Sequence, residues 1–135
     1  MKQTEKAGYK ILVVDDDPDI SMMLKLMFEY KGYSVSIVEK ADEAVQKLQH
    51  DSFNLTIIDM LLSGVSGTDI CKEIRRTPGV SDCSILMISA HPNARELCLE
   101  SGADDFIAKP FDMVHILEKV GRLVTKKSTQ DRTRI

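Results

Sequence analysis

Five short apolar runs alternate with five stretches of helical periodicity along this chain, and that alternation restricts the fold more than any other feature. The first run, Lys10-Ile11-Leu12-Val13-Val14, predicts a buried strand by its length and branched side chains. Asp17 then reads as an N-cap with Pro18 at the first helical position, where its missing N–H costs nothing. Ile20, Met23, Leu24, Met27 and Phe28 follow at helical spacing as packing residues, Met22 being counted with them, and Gly32 can supply a left-handed stop. Ser34-Val35-Ser36-Ile37-Val38 alternates with period two, as a half-exposed edge strand does. Ala44, Val45 and Leu48 mark a second helix. Leu55-Thr56-Ile57-Ile58 predicts a third strand ending at Asp59. A loop with Gly64 and Gly67 leads to a helix carrying Ile70, Cys71 and Ile74, with Ser66 and Asp69 at capping-box spacing. Ile85-Leu86-Met87-Ile88 is the fourth strand. The next helix turns Leu97, Cys98 and Ser101 inward and stops at Gly102. Phe106-Ile107-Ala108 is the fifth strand, and a last helix from about Asp112 buries Met113, Ile116, Leu117, Val120 and Val124.

Strands that alternate with helices must cross over, so they pair in parallel with helices on both faces. Right-handed crossovers leave few topologies. A weak edge at the second strand suits the flavodoxin-like order 2-1-3-4-5, an α/β (βα)5 three-layer sandwich. With 135 residues, 43% apolar and 29% charged, one soluble domain is expected, large enough to need no staple. We divide the chain into an N-terminal extension over 1–9, the domain over 10–124 and a polar tail over 125–135. Lys126, Lys127, Arg132 and Arg134 lie in that tail, first of all as a solvated segment.

A formal net charge of -3 argues against a broad nucleic-acid surface, and too few residues follow Val124 for a helix-turn-helix. Cys71, Cys83 and Cys98 are odd in number and form no CxxC or zinc spacing, so they read as free thiols in a reducing compartment. The start MKQTEKAGYK lacks the apolar core of a secretory signal, and no run has the length of a membrane span. A cytoplasmic location, with no membrane contact, is expected.

Position carries the functional argument. In an open α/β sheet, ligands bind outside the carboxyl ends of the strands. Here those ends carry Asp15-Asp16, Asp59, Ser89 and Lys109, 44, 30 and 20 residues apart in the chain. Three carboxylates brought together repel, and a hard divalent cation such as Mg2+ relieves the conflict. Mg2+ and Lys109 without a glycine-rich cradle suit a phosphoryl group rather than a nucleotide. Asp59 would be the nucleophile, forming an acyl phosphate, and the Ser89 hydroxyl would bond a phosphoryl oxygen.

VVDDD at the first strand, the loop from Asp59 to Gly67, MISA at Ser89 and AKPF at Lys109 together resemble the receiver domain of two-component response regulators, in its single-domain, chemotaxis-receiver form. The likeness covers about residues 10 to 124. It implies that Asp15, Asp16, Asp59 and the backbone carbonyl of Leu61 hold Mg2+, with Asp59 as phosphoacceptor and Lys109 on the phosphoryl group. Ser89 and Phe106 would be the switch pair, and Pro110 would follow a cis peptide bond. The face of the fourth helix, fifth strand and fifth helix would then change with phosphorylation. A histidine kinase or histidine phosphotransfer protein would be the donor. A downstream protein or output domain would be the target, with a homodimer through the same face also open. Such a protein is not an enzyme toward other substrates; it catalyses its own phosphorylation and dephosphorylation.

The chain departs from the family in four places. Ser63 stands where Pro is frequent. Phe106 lacks the hydroxyl of the common Tyr. Leu61 and His91 border the expected phosphoryl position, and Leu61 is expected to shield the acyl phosphate from water. Each residue also has a structural reading: Asp59 as a strand-end cap, Asp15 and Asp16 as helix-preceding acids, Ser89 as a turn cap, Lys109 as a surface residue, Phe106 as core, and His50, His91 and His115 as exposed positions. Two rival functions follow. One is a phosphohydrolase using Asp59 transiently, which lacks a second acid at Leu61. The other is a binding module that carries no phosphate, against which the intact set of five side chains speaks.

Overall fold

The computed structural model describes residues 8–62, 64–91 and 93–125. The extension and tail proposed from sequence therefore lie largely outside the described residues, as does Ser63. The elements are β1 (Lys10–Val14), α1 (Pro18–Tyr30), β2 (Ser34–Val38), α2 (Ala41–His50), β3 (Leu55–Asp59), α3 (Gly67–Arg76), β4 (Ile85–Ser89), α4 (Arg95–Glu100), β5 (Asp105–Ala108) and α5 (Met113–Val124). A two-residue hairpin, Leu61–Leu62 against Val65–Ser66, projects after β3 and is not numbered. The five strands form one parallel sheet in the order β2-β1-β3-β4-β5, as expected.

Strand alternation divides the core into two layers. Leu12, Val14, Ile58, Met87 and Phe106 face Ala44, Val45, Leu48, Ile70, Ile74 and Cys98. Ile11, Val13, Ile57, Leu86 and Ile107 face Leu24, Phe28, Ile116 and Val120 on the other side. β3 and β4 are buried along their whole length, whereas β2, the edge, is half-exposed. These buried runs place the strand ends, and hence the polar residues that follow, to within one residue.

The helix starts are capped as the sequence suggests. Asp17 Oδ1 accepts from the N–H groups of Asp19 (2.9 Å) and Ile20 (3.3 Å), with Pro18 in the first turn. Ser66 caps α3 through the N–H of Thr68 (3.2 Å) rather than the N–H of Asp69. Asp112 caps α5 through the N–H of His115 (2.7 Å). Gly32 has the positive φ expected of a left-handed stop, and Gly102, where the fourth helix was expected to stop, has one as well.

Four apolar side chains expected inside are not. Met22 and Met23 are about half-exposed, because Ser21, Leu24 and Phe28 already occupy the inward face of α1. Leu97 is 55% exposed, since α4 turns only Cys98 fully inward. Met113 lies at the first residue of α5, ahead of the turns that reach the sheet, and is exposed, while Leu123 is buried instead. Cys71 and Cys98 are buried and Cys83 is half-buried; burial pushes all three thiols up, Cys98 to about 11. They are packing residues, not reactive thiolates.

At the amino edge of β4 and β5, Arg75 makes a clamp that the sequence does not announce. Its Nε donates to Gly102 O (2.8 Å), one Nη to Ser81 O (2.9 Å) and the other to Asp104 Oδ2 (2.9 Å). The same Asp104 oxygen accepts the N–H of Ile85 at 2.8 Å. The planar fork of a guanidinium serves several acceptors at once, which an ammonium does not reproduce.

Candidate functional site

The carboxyl ends of β1, β3, β4 and β5 converge on one edge of the sheet. β1 ends in Asp15, which is 2% exposed and whose Oδ1 accepts the N–H of Asp17 (2.9 Å). Asp16 follows, half-buried at the rim of an open cleft of about 590 Å3 that also touches Glu39, Lys40, Asp42 and Leu62. β3 ends in Asp59, 7% exposed. Its Oδ1 accepts the N–H of Leu61 (2.9 Å) and its Oδ2 the ammonium of Lys109 (2.8 Å). Ser89 closes β4, fully buried, with its Oγ accepting the N–H of His91 at 3.0 Å. The N–H of Lys109 bonds Ser89 O at 2.8 Å, and the Lys109–Pro110 peptide is cis, as expected. Phe106 is buried in the layer facing α4. His50, His91 and His115 are exposed.

Electrostatics separates the carboxylates. Burial, joined by the charges of Asp59 and Asp16, pushes Asp15 up to about 6, against the opposing N–H of Asp17 and the charge of Lys109. Among the described residues no three carboxylates, imidazoles or thiolates converge tightly enough to hold a metal on their own. The donors are hard carboxylate oxygens. That fits a cation which keeps part of its water, as Mg2+ does, rather than a fully caged ion.

Two positioning features were missed from the sequence. The peptide after Asp59 is held from both sides: Met60 N–H donates to Ile88 O (2.8 Å), and Met60 O accepts from Gly67 N (2.6 Å). A Cβ at Gly67 would collide with Asp59 O, so the hairpin can close under the site only with glycine there. The spacing of Gly67 from Asp59 was visible, but not what it approaches. Leu61, paired with Ser66 in the hairpin, leaves its side chain 65% exposed beside Asp59.

On the other flank, Ile20, Met23, Ala90, Lys109, Pro110 and Phe111 line an apolar hollow of about 440 Å3. A larger depression, about 630 Å3, opens between Asn54, Pro78 and Ser84 at the opposite edge of the sheet and shares no residue with the site.

The family model described as response regulator receiver domain matches residues 11–121. The phosphate regulon transcriptional regulatory protein PhoB of Rhizobium meliloti is 33% identical over 119 residues, 87% of this chain and 52% of that protein. The chain spans about half the length of the curated relatives it matches. Among solved structures, the response regulator TrrA of Thermotoga maritima in complex with Mg2+-BeF superposes with a TM-score of 0.77 at 33% identity, covering 85% of this chain and 98% of that one. The receiver domain of the sensor histidine kinase PA1611 of Pseudomonas aeruginosa, with a magnesium ion coordinated in its active-site cleft, gives 0.81 at 27% identity over 89% of this chain and all of that one.

The buried Asp15 carboxylate has a testable cost. Its folded-state pKa lies above its unfolded value, so stability of the metal-free chain falls as pH rises from about 4 to about 6. Asp15→Asn keeps an oxygen for the N–H of Asp17 and removes the charge. At pH 7 without Mg2+ it is expected to raise the urea-unfolding free energy by about 1–2 kcal/mol, a gain that vanishes below about pH 4. Unchanged or lower stability at pH 7 contradicts this account.

Proposed function

We propose, because this chain belongs to the response regulator receiver domain family, that Asp59 accepts a phosphoryl group from a phosphohistidine. The direct contact of Lys109 Nζ with Asp59 Oδ2, at 2.8 Å, supports it most. A carboxylate oxygen of Asp59 attacks phosphorus in line with the N–P bond. As the O–P bond forms the N–P bond breaks, and the imidazole leaves and takes up a proton. The Leu61 N–H orients the carboxylate through Oδ1. Lys109 follows the charge from carboxylate to phosphoryl oxygens, and the Ser89 hydroxyl turns from the N–H of His91 to one of those oxygens. Phe106 then fills the space beside Ser89, and the face of α4, β5 and α5 presents a changed surface to a downstream protein, an output domain or a second copy. Asp15, Asp16, Asp59 and the carbonyl of Leu61 would hold Mg2+, which neutralises charge on the phosphoryl group when bound. No other substrate is turned over: the chemistry begins and ends on Asp59. A cytoplasmic location belongs to this reading; among the described residues no helix is long and apolar enough to cross a membrane.

The donor docks on α1. Met22, Met23, Leu26 and Tyr30 form a bare apolar stripe, 47–78% exposed. Met23 joins that stripe to the apolar hollow beside Lys109, so the surface runs into the site. The occupant is the helical, phosphohistidine-bearing surface of the kinase or phosphotransfer protein. Leu26→Glu is expected to slow transfer from such a protein at least about tenfold by breaking that contact, while labelling by acetyl phosphate stays at the wild-type rate. Equal loss with both donors rules the docking site out.

Labelling with acetyl phosphate, read as intact mass, tests the chemistry. One phosphoryl adduct that requires Mg2+ and disappears in Asp59→Asn is expected. Steady turnover of a small phosphate ester points instead to a hydrolase. No adduct, with no fluoroberyllate binding, points to a module that carries no phosphate.

The exposed side chain of Leu61, two residues past the acceptor, would shield the acyl phosphate from water. Leu61→Asn should speed loss of the phosphoryl group by offering water a polar foothold, measured as the decay of the labelled chain after removal of acetyl phosphate. An unchanged decay rate disproves the shielding role.

A further inference from the structure

Two open spaces flank the site, and they differ in chemistry. The cleft of about 590 Å3 on the hairpin side is lined by Asp16, Glu39 and Asp42, with Lys40 beside them. The hollow of about 440 Å3 on the other side is lined by Ile20, Met23, Ala90, Pro110 and Phe111 together with Lys109, and no acid lines it among the described residues. Lys109 belongs to the hollow and to the acceptor at once. Its Nζ lies 2.8 Å from Asp59 Oδ2, so its share of the apolar wall falls to the methylene stem. The acceptor and the hollow are therefore one lysine side chain apart.

A small phosphoryl donor has to point its leaving group away from Asp59, because attack on phosphorus is in line. With an acyl phosphate, an Asp59 oxygen bonds phosphorus as the bond from phosphorus to the acyl oxygen breaks. The carboxylate leaves with the electron pair and needs no proton. Negative charge grows on that leaving group, which the carboxylates of the cleft oppose and the ammonium of Lys109 favours. An alkyl chain on the same group gains from entering the hollow and not from a polar cleft. We propose that the hollow is an acyl subsite, through which the chain takes its phosphoryl group from acyl phosphates with a short alkyl chain in preference to acetyl phosphate. This rests on Asp59 being the phosphoacceptor. A space of about 440 Å3 is large enough for such a chain. Each methylene fully buried there is worth about fourfold in rate if its contacts persist in the transition state.

Initial rates of labelling by acetyl, propionyl and butyryl phosphate, each well below saturation and with Mg2+, test the subsite. The parent acids differ little in acidity, so the donors are matched as leaving groups and differ in chain length. The rate is expected to climb along the series, with butyryl phosphate faster than acetyl phosphate by about fivefold or more in this open hollow. Ala90→Leu fills the hollow and should bring the butyryl-to-acetyl ratio down to about one, phosphoramidate, which has no acyl group, serving to show that the variant still folds and accepts. The double variant Glu39→Gln, Asp42→Asn changes only exposed residues of the cleft and should keep the wild-type ratio. A flat or falling series in the wild type overturns the proposal, whether or not the Ala90 variant folds. So does a wild-type ratio in Ala90→Leu, or a ratio abolished by the cleft variant, which would seat the acyl group among the carboxylates. If no donor labels the wild-type chain, the assignment of Asp59 has failed and the subsite falls with it, a result distinct from equal labelling by all three.

Discussion

The ion pair between Lys109 and Asp59 spans 50 residues of chain and joins the ends of β5 and β3 across β4. Much of the site depends on the sheet delivering those two groups to one edge. Parallel pairing in the order β2-β1-β3-β4-β5 puts Asp59 and Ser89 on adjacent strand ends, with Asp15 on the flank of Asp59. A cation among carboxylates is worth most where water is thin, and Asp59 is 7% exposed. Burial, more than the neighbouring charges, raises Asp15 in this cluster. Burying the Asp15 carboxylate at this edge is a loss to the stability of the metal-free chain.

The two edges of the sheet divide the labour. At the amino edge, Arg75 ties α3, the segment leading to β4 and the turn before β5 through backbone oxygens and Asp104. These bonds hold the frame and contain no reactive group. The carboxyl edge carries the titratable groups Asp15, Asp16, Asp59 and Lys109, with the Leu61–Ser66 hairpin on one flank and the apolar hollow on the other. Between them, Cys98 of α4 packs against Met60, with 3.9 Å between the sulfurs.

Exposed apolar residues gather on helix faces turned away from the sheet. Met22, Met23, Leu26 and Tyr30 on α1 are the clearest case. Helical spacing of apolar residues cannot distinguish a face turned to the core from one turned to a partner, because both need the same periodicity. That is why Met23, Leu97 and Met113 looked like core residues in the sequence. The inward face of each helix is chosen by the sheet, and Leu24, Cys98 and Ile116 were there to take it.

The sequence by itself determined the architecture and the address of the site. Period-two and unbroken apolar runs specify strands, 3.6-residue spacing specifies helices, and their alternation forces a parallel sheet whose carboxyl ends hold Asp15, Asp16, Asp59, Ser89 and Lys109. These are consequences of local pattern and chain connectivity, which a sequence carries directly. Only the tertiary structure decided what those side chains touch. The grip of Arg75 on Gly102 and Asp104, the approach of Gly67 to the Asp59 backbone and the thiol of Cys98 on Met60 join residues that no spacing rule relates. Such contacts are set by how closely layers pack and by where long side chains find unpaired polar groups, and both come into being only when the chain has closed on itself.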